Sequence, residues 1–339
     1  MDGLNTLMSR FHKWAGVVAC LAFVVVVVGA YVRLMDAGLG CPDWPGCYGE
    51  ITPHHASDEI AKAVAQQGGT SGPVSLTKAW KEMVHRYLAG SLGLLILSLA
   101  VWSWGARSDA RRSRFLASSL VVLVALQAAL GMWTVTMLLK PVIVTLHLLG
   151  GMATLALLTW LALRGSGAAS GRSLSGVTAT HAIGIAGLLV LVAQIALGGW
   201  VSTNYAALAC VDFPQCHGQW LPDMDFRHAF QLVRELGMTA AGTHLAYEAL
   251  TAIHWTHRVG ALVTTLVLGL LALLLVRTRG MLAFGVLLAV LLAAQVTLGI
   301  TNILAGLPLP VAVAHNGLAA LLLVTLVVIN FRLFQKAPR

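Results

Sequence analysis

Charge is what this sequence has least of. Charged side chains make up 10% of its 339 residues, against roughly 25% in an average soluble domain. Hydrophobic residues account for 58%, more than a water-soluble core of this length can bury, so lipid is the expected solvent. Acids are fewer than bases, 13 against 22, and the bases gather in short clusters between apolar runs. The net charge of +9 therefore gives no reason to invoke nucleic acid. The first apolar run lacks a clean small-x-small cleavage site and is too long for the core of an ordinary signal peptide. It reads as a retained helix.

What the chain does have is apolar runs of bilayer length, about 20 residues each. They lie near 14–34, 84–104, 115–138, 141–163, 176–202, 252–276, 281–304 and 309–331. The expected fold is all-α integral membrane with eight transmembrane helices. Lys and Arg are enriched in cytoplasmic loops. A cytoplasmic N-terminus puts Arg107, Arg111, Arg112, Arg114, Arg164, Arg172, Arg277, Arg279, Arg332, Lys336 and Arg339 inside, while every acid but Asp2 and Asp109 faces out. Both termini are then cytoplasmic in a bacterial inner membrane, and the long segments 35–83 and 203–251 are periplasmic. Cysteine is also sparse. Cys41 and Cys47 share one outer segment and Cys210 and Cys216 the other, an arrangement that favours disulfides in an oxidising compartment. Cys20 reads as a small apolar residue.

The sequence repeats itself. Residues 29–53 and 198–222 align at an offset of 169, matching Cys41 with Cys210, Pro45 with Pro214, Cys47 with Cys216 and Gly49 with Gly218. Gln127, Gly131 and His147 match Gln295, Gly299 and His315 at 168, and His85-Arg86 matches His257-Arg258 at 172. The reading is two four-helix bundles in parallel pseudo-symmetric repeat: an N-terminal bundle over 1–163, a cytoplasmic linker over 164–175 and a C-terminal bundle over 176–339. Gln127-x3-Gly131, Gln194-x3-Gly198 and Gln295-x3-Gly299 recur in the odd helices, with Val25-x3-Gly29 in the first. Such glycines allow close helix approach; a place beside a cofactor is the other reading.

His12, His54, His55, His181, His217, His228 and His244 fall in loops or near helix ends, where a solvated imidazole is ordinary. His85, His147, His257 and His315 differ, because each recurs in both halves within or near an apolar span. Ionisable groups at that depth are costly and functional by default. Two inward imidazoles on facing helices suit axial ligation of heme iron; zinc calls for four ligands. Arg86 and Arg258 read either as donors to a heme propionate or as interface anchors. Glu82 lies three residues before His85, and its counterpart is His254, three before His257. The two pockets thus differ by a carboxylate able to act as base or to stabilise a cation, unless Glu82 is only a solvated helix-start acid.

In their order, Glu82-x-x-His85-Arg86, His257-Arg258, the paired His147 and His315, and the Cys-x5-Cys segments resemble the heme A synthase family along essentially the whole chain. The resemblance implies oxidation of the C8 methyl of heme O to a formyl group by successive hydroxylations, giving heme A for cytochrome oxidase biogenesis. It implies substrate heme between His85 and His147 with Glu82 assisting, and a permanent heme b between His257 and His315. The Cys41–Cys47 pair would lie over the substrate pocket as a stabilising clip or a thiol relay. Expected partners are lipid, heme O, a heme O synthase, an electron acceptor such as quinone, and a second copy of the chain. The competing readings are a di-heme b-type electron carrier of the cytochrome b561 sort, a thiol–quinone oxidoreductase and a transporter.

Overall fold

The computed structural model describes residues 2–69, 71–105, 113–164 and 179–334. Of the linker expected at 164–175 only Arg164 is among them, and Arg107, Arg111, Arg112, Arg172, Lys336 and Arg339 lie outside. The described residues form helices and no strand beyond isolated bridges. Among the described residues, eight helices are long and apolar enough to span a bilayer: α1 (Asp2–Leu34), α3 (Leu76–Gly105), α4 (Arg114–Thr136), α5 (Pro141–Leu163), α6 (Ala179–Thr203), α8 (Tyr247–Arg277), α9 (Leu282–Leu304) and α10 (Leu309–Leu333). Two short helices, α2 (Ser57–Gln66) and α7 (Phe226–Ala229), lie in the long loops.

Three helices start earlier than hydropathy suggests, α1 at Asp2 rather than near 14 among them. Helix α3 begins at Leu76 rather than near 84, and α8 at Tyr247 rather than near 252. The added turns carry Lys78, Lys81 and Glu82 in α3, and Glu248 in α8. A hydropathy window reads such residues as loop. The helix continues through them because its backbone bonds are internal, and in α3 Lys78 and Glu82 bond loop main chain, at the Gly72 carbonyl and the Cys41 N–H.

The connections are tight where the sequence places proline and glycine. Leu138 and Leu139 take left-handed φ values of 49° and 57°, and Pro141 opens α5, where a missing N–H costs nothing. Gly306 and Leu307 turn the chain the same way, at 68° and 62°, before Pro308 caps α10.

Helices α1, α3, α4 and α5 pack in a closed ring of neighbours, and so do α6, α8, α9 and α10. In the first ring α3 stands across from α5, and in the second α8 across from α10. The rings meet through α1, α5, α6 and α10. The continuous apolar core fills one end of both: Phe11, Ala15 and Val18 of α1, Leu92, Ile96 and Leu99 of α3, Leu155 and Leu158 of α5, Leu268 and Leu271 of α8, Leu322 and Leu326 of α10. This is the end away from the long loops. His12, expected to be solvated, is buried there at 6% exposure.

The loop-side end is joined by polar contacts. Arg33 Nη2 donates to the Ser202 carbonyl at 2.7 Å, its guanidinium lies over the Tyr205 ring, and Tyr205 Oη donates to Asp36 at 2.7 Å. Arg33, which has no basic counterpart in the second half, ties the two halves together.

Candidate functional site

Each of the four repeated histidines sits where its helix stops being tightly packed. Among the described residues, α3 has no buried position between Met83 and Leu92, and α5 none between Thr145 and Met152. The same holds between His254 and Thr264 in α8 and between Ala312 and Gly317 in α10. His85, His147, His257 and His315 fall one in each gap and are half-buried.

Every ring rests on a glycine of a neighbouring helix. A Cβ on Gly29 would lie 2.9 Å from Cε1 of His85, and one on Gly198 3.1 Å from Cε1 of His257. The corresponding distances are 3.4 Å for Gly131 and His147, and 3.1 Å for Gly299 and His315. The x3-Gly motif is thus an imidazole seat: with alanine at Gly29, Gly198 or Gly299 the ring would have to move. His85 and His147 lie on helices that stand across the first ring from each other, and His257 and His315 on helices that stand across the second. Nδ1 of His85, His147 and His315 is buried without a hydrogen-bond partner, a cost of about 1–3 kcal/mol per group that a ligand can relieve. No cluster of three or more His, Cys, Asp or Glu able to hold a metal ion occurs among the described residues. Paired rings on facing helices, glycine seats and loose packing around them fit heme, which takes two axial ligands.

Above the rings, Glu82 is neither solvated nor at a helix start. It is 4% exposed and lies in the second turn of α3. Its Oε2 accepts from the Cys41 main-chain N–H at 3.0 Å, and its Oε1 from Arg86 Nη2 at 2.5 Å. Arg86 Nη1 also donates to the carbonyls of Asp43 at 2.8 Å and Gly46 at 2.6 Å. The pair therefore clamps the Cys41–Cys47 loop onto α3. In the second half His254 takes the place of Glu82: its Nδ1 accepts from the Cys210 N–H at 3.2 Å. Arg258 donates to the carbonyls of Gln215 at 2.8 Å and Cys210 at 2.7 Å, and contacts His254.

The two loops have one internal design. Cys41 and Cys47 are disulfide-bonded, as are Cys210 and Cys216. Asp43 accepts from the N–H groups of Tyr48 and Gly49; Asp212 accepts from those of His217 and Gly218, both at 2.8 Å. Tyr48 and His217 have φ of 54° and 55°, followed by Gly49 and Gly218 at 78° and 72°, the left-handed region in which glycine is unstrained. Hydrogen bonding from Gly218, then from His217, holds the Asp212 carboxyl below its usual range.

The structure thus gathers Glu82, Arg86, His85 and the Cys41–Cys47 loop at the loop-side end of α3, with His147 across the ring, and places Arg258, His257, His315 and the Cys210–Cys216 loop correspondingly. Both guanidiniums are engaged by loop carbonyls. Sequence reasoning overlooked Asp43 and Asp212, although they match at the same offset of 169. The glycine seats were visible as a motif, but nothing local tied them to the histidines.

The profile of a family described as cytochrome oxidase assembly protein matches residues 12–327. The chain is 44% identical over 315 residues to a heme A synthase of Shewanella oneidensis, covering 93% of this chain and 94% of that protein. It is 28% identical to one of Halalkalibacterium halodurans, covering 94% and 96%, and 30% identical to one of Sphingopyxis alaskensis, covering 91% and 88%. With a profile match spanning most of its length and end-to-end relatives, the chain belongs to the cytochrome oxidase assembly protein family.

Proposed function

We propose that the protein is a membrane oxidoreductase that converts the C8 methyl of heme O to a formyl group, giving heme A, the product its relatives are named for making. The observation that carries this reading is the exchange of one residue between two matched sites: Glu82 beneath the first disulfide loop, His254 beneath the second. The 1–163 half holds the substrate between His85 and His147. The 176–339 half holds a permanent heme b between His257 and His315. Each hydroxylation takes its oxygen from water and releases two protons and two electrons to the acceptor, and loss of water from the gem-diol leaves the formyl group. Glu82, the carboxylate nearest the first histidine pair in sequence and held from Cys41 and Arg86, serves as base or charge stabiliser. Heme b, when bound, supplies a one-electron relay toward an acceptor such as quinone. Arg86 and Arg258 keep the loops closed at the end where propionates would lie, and the disulfides act as clips. The halves are a parallel repeat joined by the 164–175 linker. The protein lies in the bacterial inner membrane with both termini cytoplasmic, takes substrate from a heme O synthase and self-associates.

The test is purification from membranes, pigment extraction and identification by mass. Heme O or heme A alongside heme b is expected. Heme b alone, at two per chain, would replace this reading with a di-heme electron carrier.

A further inference from the structure

The two histidine pairs are not held alike. In the second half both rings meet a glutamine amide from the helix that seats them. The Gln194 amide nitrogen lies 3.1 Å from Nδ1 of His257 and donates to the His257 carbonyl at 3.0 Å. The Gln295 amide nitrogen lies 3.2 Å from Nε2 of His315. In the first half neither ring has such a bond among the described residues. One turn before Gly29, where Gln194 precedes Gly198, the chain carries Val25, buried in the apolar core. Gln127 does precede Gly131, but its side chain packs on Gly150. Nδ1 of His85 is left buried and unpaired, whereas Nδ1 of His257 meets the Gln194 amide.

An outer hydrogen bond fixes the orientation of a ligand imidazole, and its loss costs roughly 10–100-fold in metal affinity. An amide has donor and acceptor, so it can hold a ring nitrogen in either tautomer. His85, seated only on glycine, keeps more freedom to turn away from a bound metal. We propose that Gln194 is a positioning residue that makes the His257–His315 pair retentive, and that the lack of an amide brace at Val25 makes His85–His147 the pair that releases its heme. This rests on the assignment of substrate to the first half: a site that must discharge product needs ligands that let go, and a resident electron relay needs the reverse.

The experiment follows heme loss from the purified, heme-loaded full chain to an excess of a heme-scavenging protein, with each released pigment identified by extraction. Two phases are expected in the parent protein, a fast one of heme O or heme A and a slow one of heme b. Gln194→Leu should speed the heme b phase about 10–100-fold and leave the fast phase alone. Val25→Gln should slow the fast phase by about 10-fold or more, whereas Val25→Leu, which changes bulk without adding an amide, should not. A heme b phase unaltered in Gln194→Leu would overturn the proposal, as would Val25→Gln and Val25→Leu behaving alike. Should Val25→Gln fail to fold, the Gln194→Leu arm decides alone. If both phases release only heme b, the substrate assignment falls while the bracing effect is still read from the two rates.

Discussion

The main-chain N–H of Cys41 donates to Oε2 of Glu82 at 3.0 Å, and the N–H of Cys210 donates to Nδ1 of His254 at 3.2 Å. One loop contact is thus made twice, to a carboxylate in one half and to an imidazole in the other. Loop support does not require the carboxylate, since His254 provides it without one. What Glu82 adds is charge and basicity beside one histidine pair only.

Glu82→Gln removes the charge, and with it the ion pair to Arg86, but the amide oxygen can still accept from Cys41 and Arg86 keeps the Asp43 and Gly46 carbonyls. Conversion of heme O should fall about 100-fold or more, the scale of a lost general base, with heme O or its C8 alcohol accumulating and heme b content unchanged. Pigment analysis of matched membranes measures all four species. Normal heme A levels would reduce Glu82 to a loop anchor.

His257→Ala and His315→Ala should each remove heme b, since one axial ligand and its helix contact are lost. His254→Ala should retain it, because His254 bonds the Cys210 loop and Arg258 instead of resting on Gly198. Low-spin heme b spectra of the purified variants decide the matter. Retention by the His257 variant with loss by the His254 variant would reverse the ligand assignment.

Arg86 and Glu82 form a buried pair, with side chains 11% and 6% exposed. Removing one partner of such a pair costs about 3–5 kcal/mol, and here the Asp43 and Gly46 carbonyls lose their donor as well. Arg86→Gln should therefore open the first loop locally, so that reduction and alkylation of Cys41 and Cys47 quicken by more than ~10-fold. The Cys210–Cys216 pair should be unchanged; equal rates at both pairs in the variant would argue against a local clamp.

Asp212 gives the second loop an acid limit. Its carboxyl sits below the ordinary value of 3.8 through the Gly218 and His217 N–H groups. A depressed folded value means that these bonds contribute fully above the unfolded value and are lost as pH falls through the lower, folded one. Amide exchange at Gly218, corrected for its intrinsic pH dependence, should stay protected from neutrality to about pH 4 and lose protection only below it. Asp212→Ala should lose it at neutral pH.

Reporter fusions at Arg112, Arg172 and the C-terminus should read cytoplasmic, and those near His55 and Asp225 periplasmic. A periplasmic C-terminus would contradict the even span count.

The sequence by itself determined the eight spans, the repeat, the histidine quartet and the Glu82–His254 exchange. Hydropathy is a sum over adjacent residues, and a repeat is a fixed offset, so both are readable along the chain. Even the fourfold glycine motif was plain, although its purpose was not. Only the tertiary structure decided that Gly29 seats His85 and Gly198 seats His257, that Arg86 clamps a loop, and that Arg33 bridges the halves by bonding the Ser202 carbonyl. It also moved Glu82 from a helix start to a buried second turn. The physical reason is the same in each case. These contacts join residues on different helices, whose mutual rotation and depth are set by packing of the whole assembly, and no window along the chain contains that information.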